Sequence, residues 1–475
     1  MRRLRPPGLP ALYTLVFVAG GWCAGLVRLS DNSFLWHLRT GHLILDSGFP
    51  RSDPYSFTVP GVRWVAQSWL AEILYAVLDD LAGPWGIRLL TALCGALIGG
   101  GVYRIALRLT GNRLRAALIA LLGFRTMMTI WSERPLLFGL LGVLLLVWTV
   151  EIPESWSGRH VWIVVPAGIW LFANLHGTWV LGVGYVGLHV VGRWFEGSPP
   201  WAGRERTLTL AALAGTASVV VNPYGVDLLF FPIRLVLRGG TLNDVAEWSS
   251  PDFRSSAGMI FGAWILCFVG SVVLGRHRPG VRDVVVTLPF LLLALWALRN
   301  IAIATIVMLP VVARAIATDS DRRDDRLPVG WVAGAVLIAF AGAWTVNAGR
   351  QNDYDLSSYP LAAMRSVEDN GGLGGRLFTT DAWAGYTIAK YWPEQRVFMD
   401  DRYDTYPEDL VADYTKIAAL QPGWSRLLDE YEIGTVVWPR KRGLTQALAL
   451  KAGWVEVHRD DVAVVFTRDD AVVDG

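Results

Sequence analysis

Cysteine and lysine are scarce in this 475-residue chain, and their scarcity narrows what it can be. The three cysteines, Cys23, Cys94 and Cys267, each sit inside an apolar run with no partner at ligand spacing. That excludes a disulfide frame and a metal knuckle and leaves them as small buried side chains. Lysine occurs only at 390, 416, 441 and 451, so arginine carries the positive charge everywhere else. With a net charge of +2 and no basic cluster, nothing marks a nucleic-acid surface, and no motif marks a haem or nucleotide site. Charge is also nearly absent from the centres of the long apolar runs, and neither half of the chain echoes the other. Both absences count against a transporter, which needs ionisable groups in mid-membrane and commonly carries internal repeats.

What is abundant is apolar surface: 53% of the residues are hydrophobic and the mean hydropathy is +0.37. Apolar runs of near-spanning length fall at 9–29, 85–108, 114–131, 135–151, 161–175, 178–194, 207–221, 257–275, 283–298, 301–317 and 328–347, which predicts about eleven transmembrane helices. The first follows MRRLRPPGLP and lacks a small-residue cleavage site, so it reads as a retained helix. With Arg2, Arg3 and Arg5 in the cytoplasm, every second loop is arginine-rich: Arg113/Arg115, Arg159, Arg193/Arg204/Arg206, Arg276/Arg278/Arg282 and Arg322/Arg323/Arg326. The other loops then face outward, and they hold Asp31, His37, Glu133-Arg134, His176, Glu247-Trp248, Arg299 and the whole C-terminal segment. The expected location is a bacterial inner membrane, multi-pass, with the N-terminus cytoplasmic and the C-terminal domain extracytoplasmic.

Two domains are expected, a transmembrane body over 1–349 and an extracytoplasmic α/β domain over 350–475. The first outer loop, 30–84, is too long for a connector. Leu70, Ile73, Leu74, Val77, Leu78 and Leu81 at helical spacing, and Phe34, Leu35, Leu38 and Leu45 before them, predict two amphipathic helices in the interface. Segment 226–246 is long enough for another. In the C-terminal domain, strands are predicted at 376–380, 396–400 and 434–438, helices at 382–392, 407–420 and 443–452, and a closing pair over 454–467 that turns at Asp460-Asp461. The glycines at 371, 372, 374 and 375 precede a strand rather than follow one, so they suit a hinge better than a phosphate loop. Asp381 fits a helix cap. Asp400, Asp401 and Arg402 at a strand end fit a cap or a ligand site equally.

The arginine tag, one helix, a long outer loop opening with an acid, further spans and an outer α/β domain together resemble the GT-C superfamily of polyprenyl-phosphate-dependent glycosyltransferases. More narrowly, Asp31-Asn32-Ser33-Phe34-Leu35-Trp36-His37-Leu38, Pro50-Arg51-Ser52-Asp53-Pro54-Tyr55-Ser56-Phe57, Glu133-Arg134-Pro135, Asn222-Pro223-Tyr224-Gly225, Trp383-Ala384-Gly385-Tyr386 and Asp400-Asp401-Arg402 are similar to uncharacterised bacterial GT-C-like membrane proteins. The resemblance implies transfer of a sugar from a polyprenyl-phosphate donor to a cell-envelope glycan, lipid or protein acceptor, with membrane lipids as further partners. It also implies that Asp31 matches the superfamily's catalytic acid. Asn32 and Ser33 follow it, so the second carboxylate of the usual acidic pair is missing. No cofactor is therefore assigned, and a divalent metal stays an alternative.

Sugar transfer from a lipid phosphate needs a base for the acceptor hydroxyl and cationic groups for the phosphate. Asp31 is placed for the first task. Arg134, His176 and Arg299, at outer helix ends, are candidates for the second, although arginines there also snorkel and a histidine beside Gly177 also caps. His37, Glu247, Trp248, Asp400, Asp401 and Arg402 are the candidates for holding substrate or acceptor. The competing readings are a catalytically silent relative that binds lipid-linked sugar or a partner protein, and a lipid or glycan transporter.

Overall fold

The computed structural model describes residues 6–152, 158–237, 246–318 and 329–469. The arginine tag at 2–5, the loop holding Arg322, Arg323 and Arg326, and the end of segment 226–246 lie outside the described residues. All eleven predicted runs form helices: α1 (Leu9–Gly25), α4 (Pro84–Thr110), α5 (Arg113–Met127), α6 (Leu136–Glu151), α7 (Gly158–Leu175), α8 (Trp179–Phe195), α9 (Gly203–Ser218), α11 (Ser256–Leu274), α12 (Val281–Trp296), α13 (Ile301–Ala315) and α14 (Gly330–Gly349). Among the described residues, four helical segments, Pro84–Thr110, Ser256–Leu274, Leu298–Ala315 and Gly330–Gly349, are long and apolar enough to cross a bilayer; α1 and α6 are apolar but shorter. The two helices predicted over 30–84 are α2 (Asn32–Ser47) and α3 (Trp69–Ala82), and Val226–Leu237 forms α10.

The chain divides into two compact units. One comprises Met1–Arg28, Leu81–Ile233 and Asn243–Asn352; the other Leu29–Asp80, Arg234–Leu242 and Asp353–Gly475. The first outer loop therefore folds with the C-terminal segment.

In the helical unit, glycine sets the closest packing. A Cβ at Gly21 would lie 2.0 Å from the Gly95 carbonyl oxygen, and one at Gly25 would lie 2.4 Å from that of Thr91, so α1 and α4 touch backbone to backbone. Asn112 caps α5 by accepting from the N–H groups of Leu114 and Arg115, both at 3.1 Å. The far end of α6 is closed by charge. Glu151 accepts from Tyr185 at 2.7 Å and pairs with Arg282 at 3.1 Å and Arg314 at 2.5 Å, while Asp283 takes a second nitrogen of Arg314 at 2.8 Å.

In the second unit, β1 (Leu377–Thr379), β2 (Thr435–Pro439), β3 (Trp454–Arg459) and β4 (Ala463–Arg468) form one sheet in the order β1-β2-β4-β3, with β1 parallel to β2 and the others antiparallel. Its helices are α15 (Leu361–Asp369), α16 (Asp381–Tyr391), α17 (Glu408–Ala418), α18 (Trp424–Glu430) and α19 (Gly443–Ala449). Helices α15 and α18 are not in the sequence reading; both are short, nine and seven residues. The β3-β4 turn is held by Asp460, whose Oδ1 accepts from the N–H groups of Val462 and Ala463 at 2.7 Å each.

The strand expected at 396–400 is absent. Val397 makes single parallel bridges to Ser56 and Leu377, and the ladder stops because the Asp400 N–H turns to the Tyr406 hydroxyl at 3.2 Å. Val59 of the outer loop is part of the same buried core as Phe378, Phe398, Tyr414, Trp438 and Phe466. The 371–375 glycines are tied down by Gln395, which accepts from Gly374 N–H at 3.1 Å and donates to the Gly375 carbonyl at 2.9 Å.

Candidate functional site

In the helical unit, three chain segments meet around His176. The imidazole is buried in the turn between α7 and α8, where its Nδ1 accepts the Thr178 N–H at 3.2 Å and lies 2.9 Å from the Thr178 hydroxyl. Burial, then the charges of Arg299 and Arg134, push its pKa down to about 3. The ring is therefore neutral at physiological pH and carries its proton on Nε2, a donor. Gly139 on α6 makes room for this turn: a Cβ there would lie 1.9 Å from the Thr178 hydroxyl and 3.1 Å from Nδ1. Arg134, just before α6, is hydrogen-bonded to Glu247. Arg299, in the short 3-10 turn before α13, stacks over Trp248 at 4.7 Å, and Trp248 meets Trp296 edge-on at 5.9 Å.

Arg134, His176 and Arg299 are thus brought together, and Glu247 and Trp248 serve as their supports. Two guanidiniums and an imidazole N–H supply directed donors suited to an anion with several oxygens. This cluster lies at the start of α6 and the Glu151 network at its end, roughly 24 Å away for a 16-residue helix at 1.5 Å per residue. Arg134 therefore lies at the opposite end of α6 from Arg282 and Arg314.

In the second unit, Asp31 is the N-cap of α2; its Oδ1 accepts the Phe34 N–H at 3.1 Å. The next residues are donors to another carboxylate. Asp401 accepts from Asn32 Nδ2 at 2.6 Å, from the Ser33 hydroxyl and from Trp36 Nε1 at 2.6 Å. An amide and a hydroxyl already directed to Asp401 do not reproduce a paired-carboxylate metal site. Among the described residues no three His, Cys, Asp or Glu side chains are grouped to hold one. His37 Nδ1 lies 2.7 Å from Glu72 Oε1. Burial holds the Glu72 carboxyl well above its usual range against the pull of Arg402.

Asp400 and Arg402, expected to receive acceptor, meet a physical obstacle: both are buried and bonded to each other. Arg402 Nε and Nη2 bracket Asp400 at 2.7 to 3.0 Å, and Nη2 reaches Asp53 at 2.7 Å. Side-chain exposure is 1% for Arg402 and 0% for both acids. Trp64, Tyr55 and Trp36 surround the guanidinium at 4.6, 4.8 and 5.8 Å. Burial alone would raise the Asp53 pKa, but the Arg402 charge and hydrogen bonds from Ser56 and Arg402 leave it below the usual carboxylate value. Asp381 is not the cap of α16. Thr380 is, accepting the Trp383 N–H at 3.1 Å, and Asp381 is held by the hydroxyls of Tyr403 at 2.7 Å and Tyr414 at 3.0 Å.

The sequence reading left out Asp53, Glu72 and Tyr55 as partners. Asp53 could have been found, since it is the one acid in Pro50-Arg51-Ser52-Asp53-Pro54-Tyr55-Ser56-Phe57.

Two solved structures share this architecture. The archaeal oligosaccharyltransferase AglB from Archaeoglobus fulgidus, in complex with an inhibitory peptide and a dolichol-phosphate, superposes with a TM-score of 0.58 at 12% identity, covering 90% of this chain and 69% of that one. ArnT from Cupriavidus metallidurans, bound to undecaprenyl phosphate, gives 0.52 at 12% identity over 98% of both chains. At 12% identity the likeness to both is one of fold. No family profile and no curated protein sequence matches the chain.

Proposed function

We propose that this protein is a membrane glycosyltransferase of GT-C type that moves a sugar from a polyprenyl-phosphate donor to an extracytoplasmic acceptor. The observation that carries this reading is the convergence of Arg134 and Arg299 on one buried, neutral histidine. Such a cluster binds a phosphate by charge and by directed N–H donors. Both structural neighbours were solved with a polyprenyl phosphate or dolichol phosphate, which supports the same ligand class.

In the proposed reaction Asp31 takes the proton of the acceptor hydroxyl as its oxygen bonds to the anomeric carbon. The bond from that carbon to the phosphate oxygen breaks, and the electron pair leaves on the lipid phosphate. Arg134 and Arg299 are the proposed ligands of a lipid phosphate, and His176 Nε2–H adds a donor without adding charge. Trp248 and Glu247 keep the two guanidiniums in place.

Binding of a polyprenyl phosphate to the purified protein, compared with Arg134→Ala and Arg299→Ala, tests the phosphate role. The reading expects each variant to weaken binding at least about tenfold, the scale of one charge-assisted hydrogen bond. Unchanged affinity in both removes the phosphate from this cluster. The topology has its own test: a single cysteine at the exposed Lys441, with Cys23, Cys94 and Cys267 replaced, should react with an impermeant thiol reagent in intact cells. Labelling only after lysis places the module on the other side.

A further inference from the structure

The triplet Asp400-Asp401-Arg402 splits its work. Asp400 and Arg402 are spent on one another and on Asp53, which fixes the backbone they share. Asp401, between them, projects to the first turn of α2. Its Oδ2 takes the Asn32 amide and the Ser33 hydroxyl, and its Oδ1 takes the Trp36 indole. Asn32 and Trp36 are one helical turn apart on one face, and Ser33 is beside them. Asp31 caps this same turn.

Gly385 gives a second, independent hold. A Cβ there would lie 2.3 Å from the Asn32 carbonyl oxygen, so α16 packs its backbone directly on the residue after Asp31. Only glycine allows that approach, which accounts for the glycine of Trp383-Ala384-Gly385-Tyr386.

We propose that Asp401 is a positioning residue for Asp31: one carboxylate gathers three donors of the α2 first turn and, with Gly385 behind it, fixes where the Asp31 side chain points. The proposal rests on the reading of Asp31 as the base. It also gives the α/β module a part in the reaction without contact between Asp401 and substrate. Asn32 and Ser33, which replace the second acid of the usual pair, become the donors that Asp401 requires.

Hydrogen exchange of the full-length protein in lipid nanodiscs, read at residues 32–38, reports the hold on α2 directly; transfer kinetics report its consequence. Asp401→Asn turns part of the acceptor into a donor facing donors, and Asn32→Asp sets two carboxylates together. Each should speed exchange of 32–38 at least about tenfold, the factor expected for one lost hydrogen bond to a charged group. Each should also lower kcat by a similar factor with the donor KM unchanged. The pair Asn32→Asp with Asp401→Asn restores donor and acceptor with their places exchanged, and should recover protection and kcat together. Trp36→Phe removes one donor with little change of volume, and keeps the test open if a charge variant fails to fold.

Exchange at 32–38 that is the same in Asp401→Asn and Trp36→Phe as in the parent overturns the latch. So does faster exchange with an unaltered kcat, since the hold would then be structural only. A failure of the underlying reading looks different: Asp31→Asn would keep full transfer while the Asp401 variants still loosened α2.

Discussion

Removing the Arg402 side chain isolates two acids that the fold has taken out of water. Asp53 and Asp400 have no exposed side-chain surface, and Arg402 supplies hydrogen bonds to both at 2.7 to 3.0 Å. In Arg402→Ala, Asp53 keeps the Ser56 N–H at 3.0 Å and the Ser56 hydroxyl, and Asp400 keeps the Arg402 backbone N–H at 2.8 Å. Neither keeps a counter-charge among these contacts. Stripping one partner from a buried pair costs about 3–5 kcal/mol. For a unit of this size that lowers the unfolding midpoint by roughly 6–20 °C.

The pH dependence changes sign as well. In the native protein the folded pKa of Asp53 lies below its unfolded value, so its stabilisation is present above about pH 4 and is lost as pH falls through the lowered folded pKa. Without Arg402, burial is the largest remaining influence and the folded pKa lies above the unfolded one. Stability then falls as pH rises above about 4. Thermal unfolding in nanodiscs from pH 4 to 8 should show a parent that is flat or rising and a variant that is least stable at the alkaline end. A variant midpoint within about 2–4 °C of the parent, the worth of 1 kcal/mol, with no inverted slope, refutes the account of this triad.

Other outcomes follow from the same geometry. Gly385→Ala should loosen the α2 turn and lower transfer at least about tenfold without weakening polyprenyl-phosphate binding, because its Cβ meets backbone rather than a side chain that can swing away; kinetics and lipid binding on one preparation decide it. Trp248→Ala should weaken lipid-phosphate binding by about twofold to tenfold through loss of the stacked Arg299, a cation–π contact worth about 0.5–1 kcal/mol or more where desolvated. Equal affinity in that variant separates Arg299 from the phosphate. With the His176 pKa near 3, the pH–rate profile between 5 and 8 should contain no step that disappears in His176→Gln; a lost step near pH 6.5 shows a protonatable histidine.

The membrane fold was legible because apolar runs and arginine loops are long-range statistical signals that packing does not overrule. Each predicted run is a helix, and Arg134 and Arg282 lie at opposite ends of α6. The outer loop was legible as two amphipathic helices, but not as a partner of the α/β module, since pairing across more than 300 residues leaves no periodic trace. Asp53 with Arg402 and Asn32 with Asp401 are single contacts between distant segments. Segment 396–400 has strand composition, yet the Tyr406 hydroxyl claims the Asp400 N–H and the ladder ends early. Asp381 and Thr380 are both good caps, and only the backbone decides between them. Arg134, His176 and Arg299 were read as cations at outer helix ends. Their convergence depends on how α6, α7, α8 and α13 are arranged, which no spacing in the sequence encodes.

The central claim is that Asp31 accepts the acceptor proton, and the most direct measurement is the transfer rate of purified Asp31→Asn with a panel of polyprenyl-phosphate sugars. Asparagine retains the size and a carbonyl oxygen to cap α2, so the helix start survives while proton acceptance is lost. The account predicts a fall in turnover of about 10² to 10⁴, with donor affinity close to that of the parent. Full transfer by Asp31→Asn contradicts it and moves the search for the base to Glu72, Glu133 or Glu247.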